Sequence, residues 1–273
     1  AYHITVDGGA TVWLKTHNAV NDGLIVAQGT DRKVRLGDCS VGSLFPNTTI
    51  QLQRSVGIEF TDATKGTTLL TDNVDGTPIT LTTSNEGLFS GNGRVNIGGH
   101  GTFQFNTHAK VQFTYTGPTF VNAGATAEVY RLMDATAFTV GGVLNVRTGG
   151  DVRVVTVAEG GVLKTTGGAV GQVTAQTGAT LELANDAGIP VPFGFGTGLV
   201  VAPAEAKSVV LACAETALPL GRDLPLTVGA NLQNGDEKKF KLEFTGKLRS
   251  TRLFVKDGEL WAHVNTSCTI YLR

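Results

Sequence analysis

One short pattern recurs along this 273-residue chain: a glycine, a small or polar residue, then alternating apolar residues. It reads Gly101-Thr102-Phe103-Gln104-Phe105, Gly124-Ala125-Thr126-Ala127-Glu128-Val129 and Gly142-Val143-Leu144-Asn145-Val146. It returns as Gly161-Val162-Leu163-Lys164-Thr165 and Gly178-Ala179-Thr180-Leu181-Glu182-Leu183. From Gly124 onward the copies open at Gly124, Gly142, Gly161 and Gly178, a nearly constant interval, and earlier copies begin at Gly9 and Gly93. Strict alternation sends neighbouring side chains to opposite faces of a strand. Leu181 and Leu183 therefore share one face and Glu182 takes the other. A coil of about 18 residues holds two or three such strands, and stacked coils merge their inward residues into one core. Glycine opens each strand because a corner needs positive φ or close backbone approach. The pattern predicts an all-β fold, a right-handed parallel β-helix (a solenoid) over residues 87–204. An antiparallel sandwich, whose turns recur at a shorter interval, explains the glycines but not the longer period.

The two ends read differently. Residues 1–86 carry strand-like runs separated by Asn21-Asp22-Gly23 and Asp75-Gly76, and are expected to be irregular early coils or a small β cap. In 205–273, Phe240, Leu242 and Phe244 alternate with polar residues, and Asp257-Gly258 divides two strand-like runs, a strong hairpin signal. That stretch is expected to form a C-terminal antiparallel β cap. Caps matter because a solenoid exposes unpaired backbone at each end. The N-terminal run Tyr2-His3-Ile4-Thr5-Val6 is a candidate inter-subunit strand, able to add to the sheet of a neighbour.

Composition narrows the partners. Charged residues make up 16% of the chain and the net charge is −1, so no basic face for nucleic acid is implied. No apolar run reaches the roughly 18 residues of a membrane span, so membrane insertion is not expected. The chain begins at Ala1, which fits a mature product left by a signal peptidase. Of the three cysteines, Cys213 and Cys268 are expected to pair and Cys39 to be buried. The alternative is three small buried apolar residues. Asn47 and Asn265 open N-glycosylation sequons.

Catalytic chemistry finds little footing. The acids of the central coils, Glu128, Asp134, Asp151, Glu159, Glu182 and Asp186, are spread singly and read as outward positions. Glycoside hydrolysis needs a facing carboxylate pair. Lys164 and Glu182 fall on successive coils and suit a surface ion pair. The histidines (His3, His17, His100, His108, His263) show no metal-ligand spacing, and no zinc or cofactor site is expected. Trp13, Trp261, Tyr115 and Tyr130 are candidate sugar-stacking residues, with core packing the favoured role for Trp261.

The segment Tyr115-Thr116-Gly117-Pro118-Thr119-Phe120-Val121-Asn122-Ala123-Gly124-Ala125 resembles the autotransporter-associated β-strand repeat of bacterial surface proteins, whose pattern is Tyr-Thr-Gly-Gly-Thr-Thr-Ile-x-x-Gly-Thr-Leu. Pro118 stands where the repeat has its second glycine. One copy is clear, and with the glycine-rich run before it the likeness extends from Gly91 to Ala125. Arg252 to Trp261 resembles the closing hairpin of such proteins. The resemblance implies a right-handed β-helix, secretion and a place at the cell surface, without the family's large C-terminal membrane barrel. The expected function is a secreted structural or adhesive protein that self-assembles head-to-tail into an extracellular fibre, with itself as main partner and surface glycans as a further one. The alternatives are a polysaccharide-active β-helix enzyme, a lyase or hydrolase, and a monomeric carbohydrate-binding adhesin.

Overall fold

The computed structural model describes residues 3–14, 32–45, 48–52, 56–85, 87–105, 111–183, 192–202, 206, 208–214, 221–245 and 251–265. Three long parallel sheets run side by side along one axis. The first has five strands: His3–Val6, Arg32–Leu36, Val56–Phe60, Gly87–Gly91 and Val111–Phe113. The second has nine: Ala10–Leu14, Cys39–Ser43, Thr67–Asn73, Val95–Gly98, Thr119–Val121, Leu132–Val140, Asp151–Val157, Ala169–Ala175 and Gly198–Val201. The third also has nine: Thr48–Leu52, Thr80–Asn85, Thr102–Phe105, Thr126–Val129, Val143–Arg147, Val162–Thr166, Thr180–Glu182, Val209–Ala214 and Phe240–Thr245. The chain visits the sheets in rotation, and each strand pairs in parallel with its equivalent one coil on. This is a parallel β-helix.

The ladders cross residue 87 without a break, since Val56–Phe60 pairs with Gly87–Gly91. Among the described residues the ladders begin at His3 and continue into the later coils, and what varies along them is coil size. In the second sheet Ile97 pairs with Val121, a wide step. Val121 then pairs with Val140, Val140 with Val157 and Val157 with Ala175, three shorter and nearly equal steps. Ala175 pairs with Val201, a wide step again. Wide coils thus flank narrow ones.

Side-chain volume explains the change. The wide early coils are filled by Phe60, Phe89, Phe103, Phe105, Phe113 and Tyr115, all buried. Phe89 and Phe113 stack at 5.0 Å, and Phe105 meets Phe113 and Phe138 edge-on at 5.5 and 6.0 Å. Between Phe138 and Phe193 the sequence has no aromatic residue. There the core is a column of Leu144, Leu163 and Leu181 facing Val140, Val157 and Ala175, all fully buried. Where the coils widen again, Phe193 and Phe195 stack at 4.9 Å. Each such side chain contributes about 1.5–3 kcal/mol by leaving water, and interiors tolerate few voids. A coil therefore takes the perimeter its inward residues can fill.

The narrowing begins where the first sheet ends, at Phe113. A buried hydroxyl chain spans the step: Tyr115 Oη lies 2.6 Å from Thr119 Oγ1, which lies 3.1 Å from Thr136 Oγ1. Thr136 donates to the Gly117 carbonyl at 2.6 Å. Thr136 sits in the register shift between Met133 and Ala137. Buried hydroxyls are tolerable because each has a partner. Desolvation drives the Tyr115 phenol far above its ordinary range.

The C-terminal region is only partly the expected antiparallel cap. Phe240–Thr245 pairs in parallel with Val209–Ala214 and belongs to the solenoid, a correction to its sequence reading. The antiparallel part is Thr251–Lys256 with Glu259–Val264, flanked by Asp223–Pro225. Its two-residue turn has positive φ at both Asp257 (53°) and Gly258 (77°), the geometry that Asp-Gly favours.

The repeat glycines serve two needs. Gly124 and Gly178 adopt positive φ, 91° and 78°. Gly161 does not, but a Cβ there would overlap the Val140 carbonyl oxygen of the coil below. Gly160, with φ of 73°, has open space around it. Gly160→Ala is expected to cost about 1–2 kcal/mol for left-handed backbone alone. Gly161→Ala is expected to cost more, because two rungs must separate. Denaturant melts of the two variants check the order, and a smaller loss for Gly161→Ala contradicts it.

Candidate functional site

The two ends of the solenoid are built differently. At the N-terminal end His3–Val6 and Ala10–Leu14 are the outermost strands of their sheets. Each has a partner on one side only among the described residues: Arg32–Leu36 and Cys39–Ser43. The run expected to reach a neighbour is therefore paired within its own chain over His3–Val6, while Tyr2 lies outside the described residues. Its outer edge is open among the described residues, with Ile4 56% exposed. Asp7 fixes the corner that follows: its Oδ1 accepts from the Gly8 and Asp38 backbone N–H groups, both at 2.9 Å. Trp13 is half-buried, its ring lying over Gly42, where a side chain would collide with it.

At the other end a carboxylate stops the ladder. Residues 226–232 form part of the last turn, bonded to Phe193, Phe195 and Leu199 of the coil before. Glu259, at the start of the last strand, reaches over that turn. Its Oε1 accepts from Gly229 N at 2.6 Å, and its Oε2 accepts from Thr227 Oγ1 at 2.8 Å and Ala230 N at 3.2 Å. Backbone donors that a further rung would use are thereby consumed. Leu260, Ala262 and Val264 point inward and join the main core.

The opposite face of this three-stranded sheet points outward. Cross-strand register aligns Asp223, His263 and Arg252 in one row and Pro225, Trp261 and Phe254 in the next. His263 Nδ1 lies 2.7 Å from Asp223 Oδ1. Arg252 is exposed and makes no hydrogen bond or ion pair among the described residues. Phe254 and Trp261 stack with centroids 6.5 Å apart, Lys256 Nζ lies 5.1 Å over the Trp261 ring, and Trp261 Nε1 donates to the Lys256 carbonyl at 3.2 Å. Asp223, Arg252, Phe254, His263 and Asn265 line an open cleft of about 440 Å³.

The remaining sequence candidates are dispersed. Tyr115 is core, and Tyr130 lies beneath Arg147, its hydroxyl donating to Glu128 at 2.9 Å. Burial and that carboxylate push the Tyr130 phenol up. Trp261, expected in the core, is instead half-buried on the outer face. Glu128 is not a free outward acid: it also accepts from Gln104 at 2.9 Å and pairs with Arg147 at 3.1 Å. Lys164 and Glu182 do pair across coils, at 3.5 Å. Glu128 and Glu182 share a column but lie three rungs apart, about 14 Å at the usual rung spacing. That exceeds the carboxylate separations of glycoside hydrolysis, at most about 9.5 Å.

Cys213 is a buried free thiol, and its expected partner Cys268 lies outside the described residues. Burial raises the Cys213 thiol to about 11. Cys39 is buried and free. Asn265 is exposed at the cleft, while Asn47 lies outside the described residues. Among the described residues no group of three His, Cys, Asp or Glu side chains gathers as a metal site, and no helix is long and apolar enough to cross a membrane. The outward Asp223–His263–Arg252 row escaped sequence reasoning because its members lie on three separate strands. The alternation around Trp261 and the Asp257-Gly258 turn carried the only signal for it.

No family model, no curated protein and no solved structure matches the chain.

Glu259→Gln turns a carboxylate that accepts three hydrogen bonds into an amide facing N–H donors. It is expected to cost about 1–3 kcal/mol. Glu243→Gln, at an exposed pair with Lys241, is expected to stay within about 0.5 kcal/mol. Chemical unfolding of both variants measures the difference, and equal losses contradict the closing role of Glu259.

Proposed function

We propose that this protein is a secreted structural or adhesive surface protein that self-assembles through its open first coil into an extracellular fibre. The observation that carries the reading is the outer edge of His3–Val6 and Ala10–Leu14, unpaired among the described residues. Open parallel edges are templates for pairing with another chain. The low charge of the chain, 16% charged residues, leaves little repulsion against such contact. The likeness of the Tyr115–Ala125 turn to a repeat of bacterial surface proteins supports secretion and a surface location.

Two joints fit. A head-to-tail fibre sets the first coil against the outer edge of Phe240–Thr245, the last strand of the third sheet. Such a contact does not close on itself and so grows. The Glu259 closure over residues 227–230 at that end favours a second reading, an isologous pair joined first coil to first coil. Either joint needs the same edge.

The experiment compares the native chain with an Ile4→Lys, Thr11→Lys variant by sedimentation and negative-stain microscopy over a range of concentrations. Both residues are exposed on the first coil, and edge lysines oppose strand addition. The native chain is expected to form pairs or filaments as concentration rises, and the variant to remain monomeric with an unchanged circular dichroism spectrum. Native protein that stays monodisperse and monomeric at high concentration, or a variant that assembles equally well, overturns the proposal.

A further inference from the structure

The outward face of the C-terminal sheet combines features that a closing element does not require. Closure is achieved by Glu259 and by the inward residues Leu260, Ala262 and Val264. The outward residues make no contribution to it. They nevertheless place an aromatic ring, a fixed positive charge, a fixed negative charge and an imidazole around one cleft. At about 440 Å³ it lies within the roughly 300–1,000 Å³ range of small-ligand sites.

From this arrangement we infer that the cleft lined by Asp223, Arg252, Phe254 and His263 binds a neutral polyhydroxyl ligand, a sugar unit of a neutral polysaccharide. Charge selects the class. An anion attracted by Arg252 would meet Asp223, and a cation attracted by Asp223 would meet Arg252. A hydroxyl both donates and accepts, so adjacent hydroxyls satisfy both groups at once. Arg252 has five N–H donors and none is used among the described residues. Asp223 engages His263 through Oδ1, which leaves Oδ2 as an acceptor. The carboxylate only accepts, so Nδ1 donates to it, and a neutral imidazole then offers Nε2 as a second acceptor. Phe254, backed by Trp261 at 6.5 Å, supplies the flat apolar surface that the C–H face of a pyranose prefers. Donor, acceptor and ring thus stand on adjacent strands held rigid by the hairpin.

The cleft residues lie on none of the strands His3–Val6, Ala10–Leu14 and Phe240–Thr245 that the proposed joints use, so binding is tested apart from self-assembly. Affinity electrophoresis of the full chain provides the test. Native gels contain dissolved hydroxyethyl cellulose, galactomannan or dextran as neutral probes, and alginate as an anionic one. The Ile4→Lys, Thr11→Lys protein is run alongside, so that loss of assembly is read separately from loss of binding. At least one neutral polymer is expected to retard the chain, with alginate doing so no more than a blank gel. Arg252→Ala and Phe254→Ala are each expected to weaken retardation about tenfold or more. Arg252 is exposed and makes no contact that the fold depends on, so its removal keeps the test decisive if Phe254→Ala misfolds. Absence of retardation by every neutral probe, native-like retardation of Arg252→Ala, or stronger retardation by alginate overturns the inference.

Discussion

A stacked coil must fill its own cross-section with the side chains it turns inward, and its neighbours must match it in perimeter wherever their strands pair. That joint condition governs this molecule. The narrow coils between Val121 and Ala175 are filled by Leu144, Leu163, Leu181, Val140 and Val157. Wide coils carry Phe and Tyr. The transition is abrupt because the first sheet stops at Phe113, and the strand Leu132–Val140 absorbs the mismatch through a register shift. The hydroxyls of Tyr115, Thr119 and Thr136 satisfy one another and the Gly117 carbonyl at that joint. Burying them unpaired would cost several kcal/mol.

The same pairing that stabilises the interior creates a problem at the ends, where backbone groups lack a next rung. The chain treats its two ends unequally. Glu259 takes up the donors of Gly229 and Ala230 at one end, and the hairpin buries Leu260, Ala262 and Val264 against the last turn. At the other end the described strands stop at an exposed edge, where Ile4 stacks in register on the buried Val34 and Ile58 yet stays exposed. The proposed division of labour follows from this polarity, with association at the open coil and ligand recognition on the outward face of the closed one.

Much of the fold was legible in the sequence, for definable reasons. Period-two alternation restarting at Gly124, Gly142, Gly161 and Gly178 fits stacked rungs, and those residues form them. Asp257-Gly258 marked its turn because few residue pairs tolerate two consecutive positive φ angles. The early coils were harder to see. Their steps, such as the one from Ile58 to Phe89, carry long connections that hide the period. Alternation also says nothing of a neighbour's direction, so Phe240–Thr245 read as antiparallel although it pairs in parallel. The outward cleft depends on Asp223 and His263, far apart in the chain, becoming cross-strand partners. Only the register of the folded sheet provides that.

Parallel rung pairing through the narrow coils is the claim on which the rest stands, and backbone proton contacts in solution report it directly. Nuclear Overhauser spectra of labelled protein are expected to link Val140 with Val157 and Val157 with Ala175 through the amide-to-Hα contacts of parallel strands. Close Hα-to-Hα contacts between those same strands, the mark of antiparallel pairing, would contradict it.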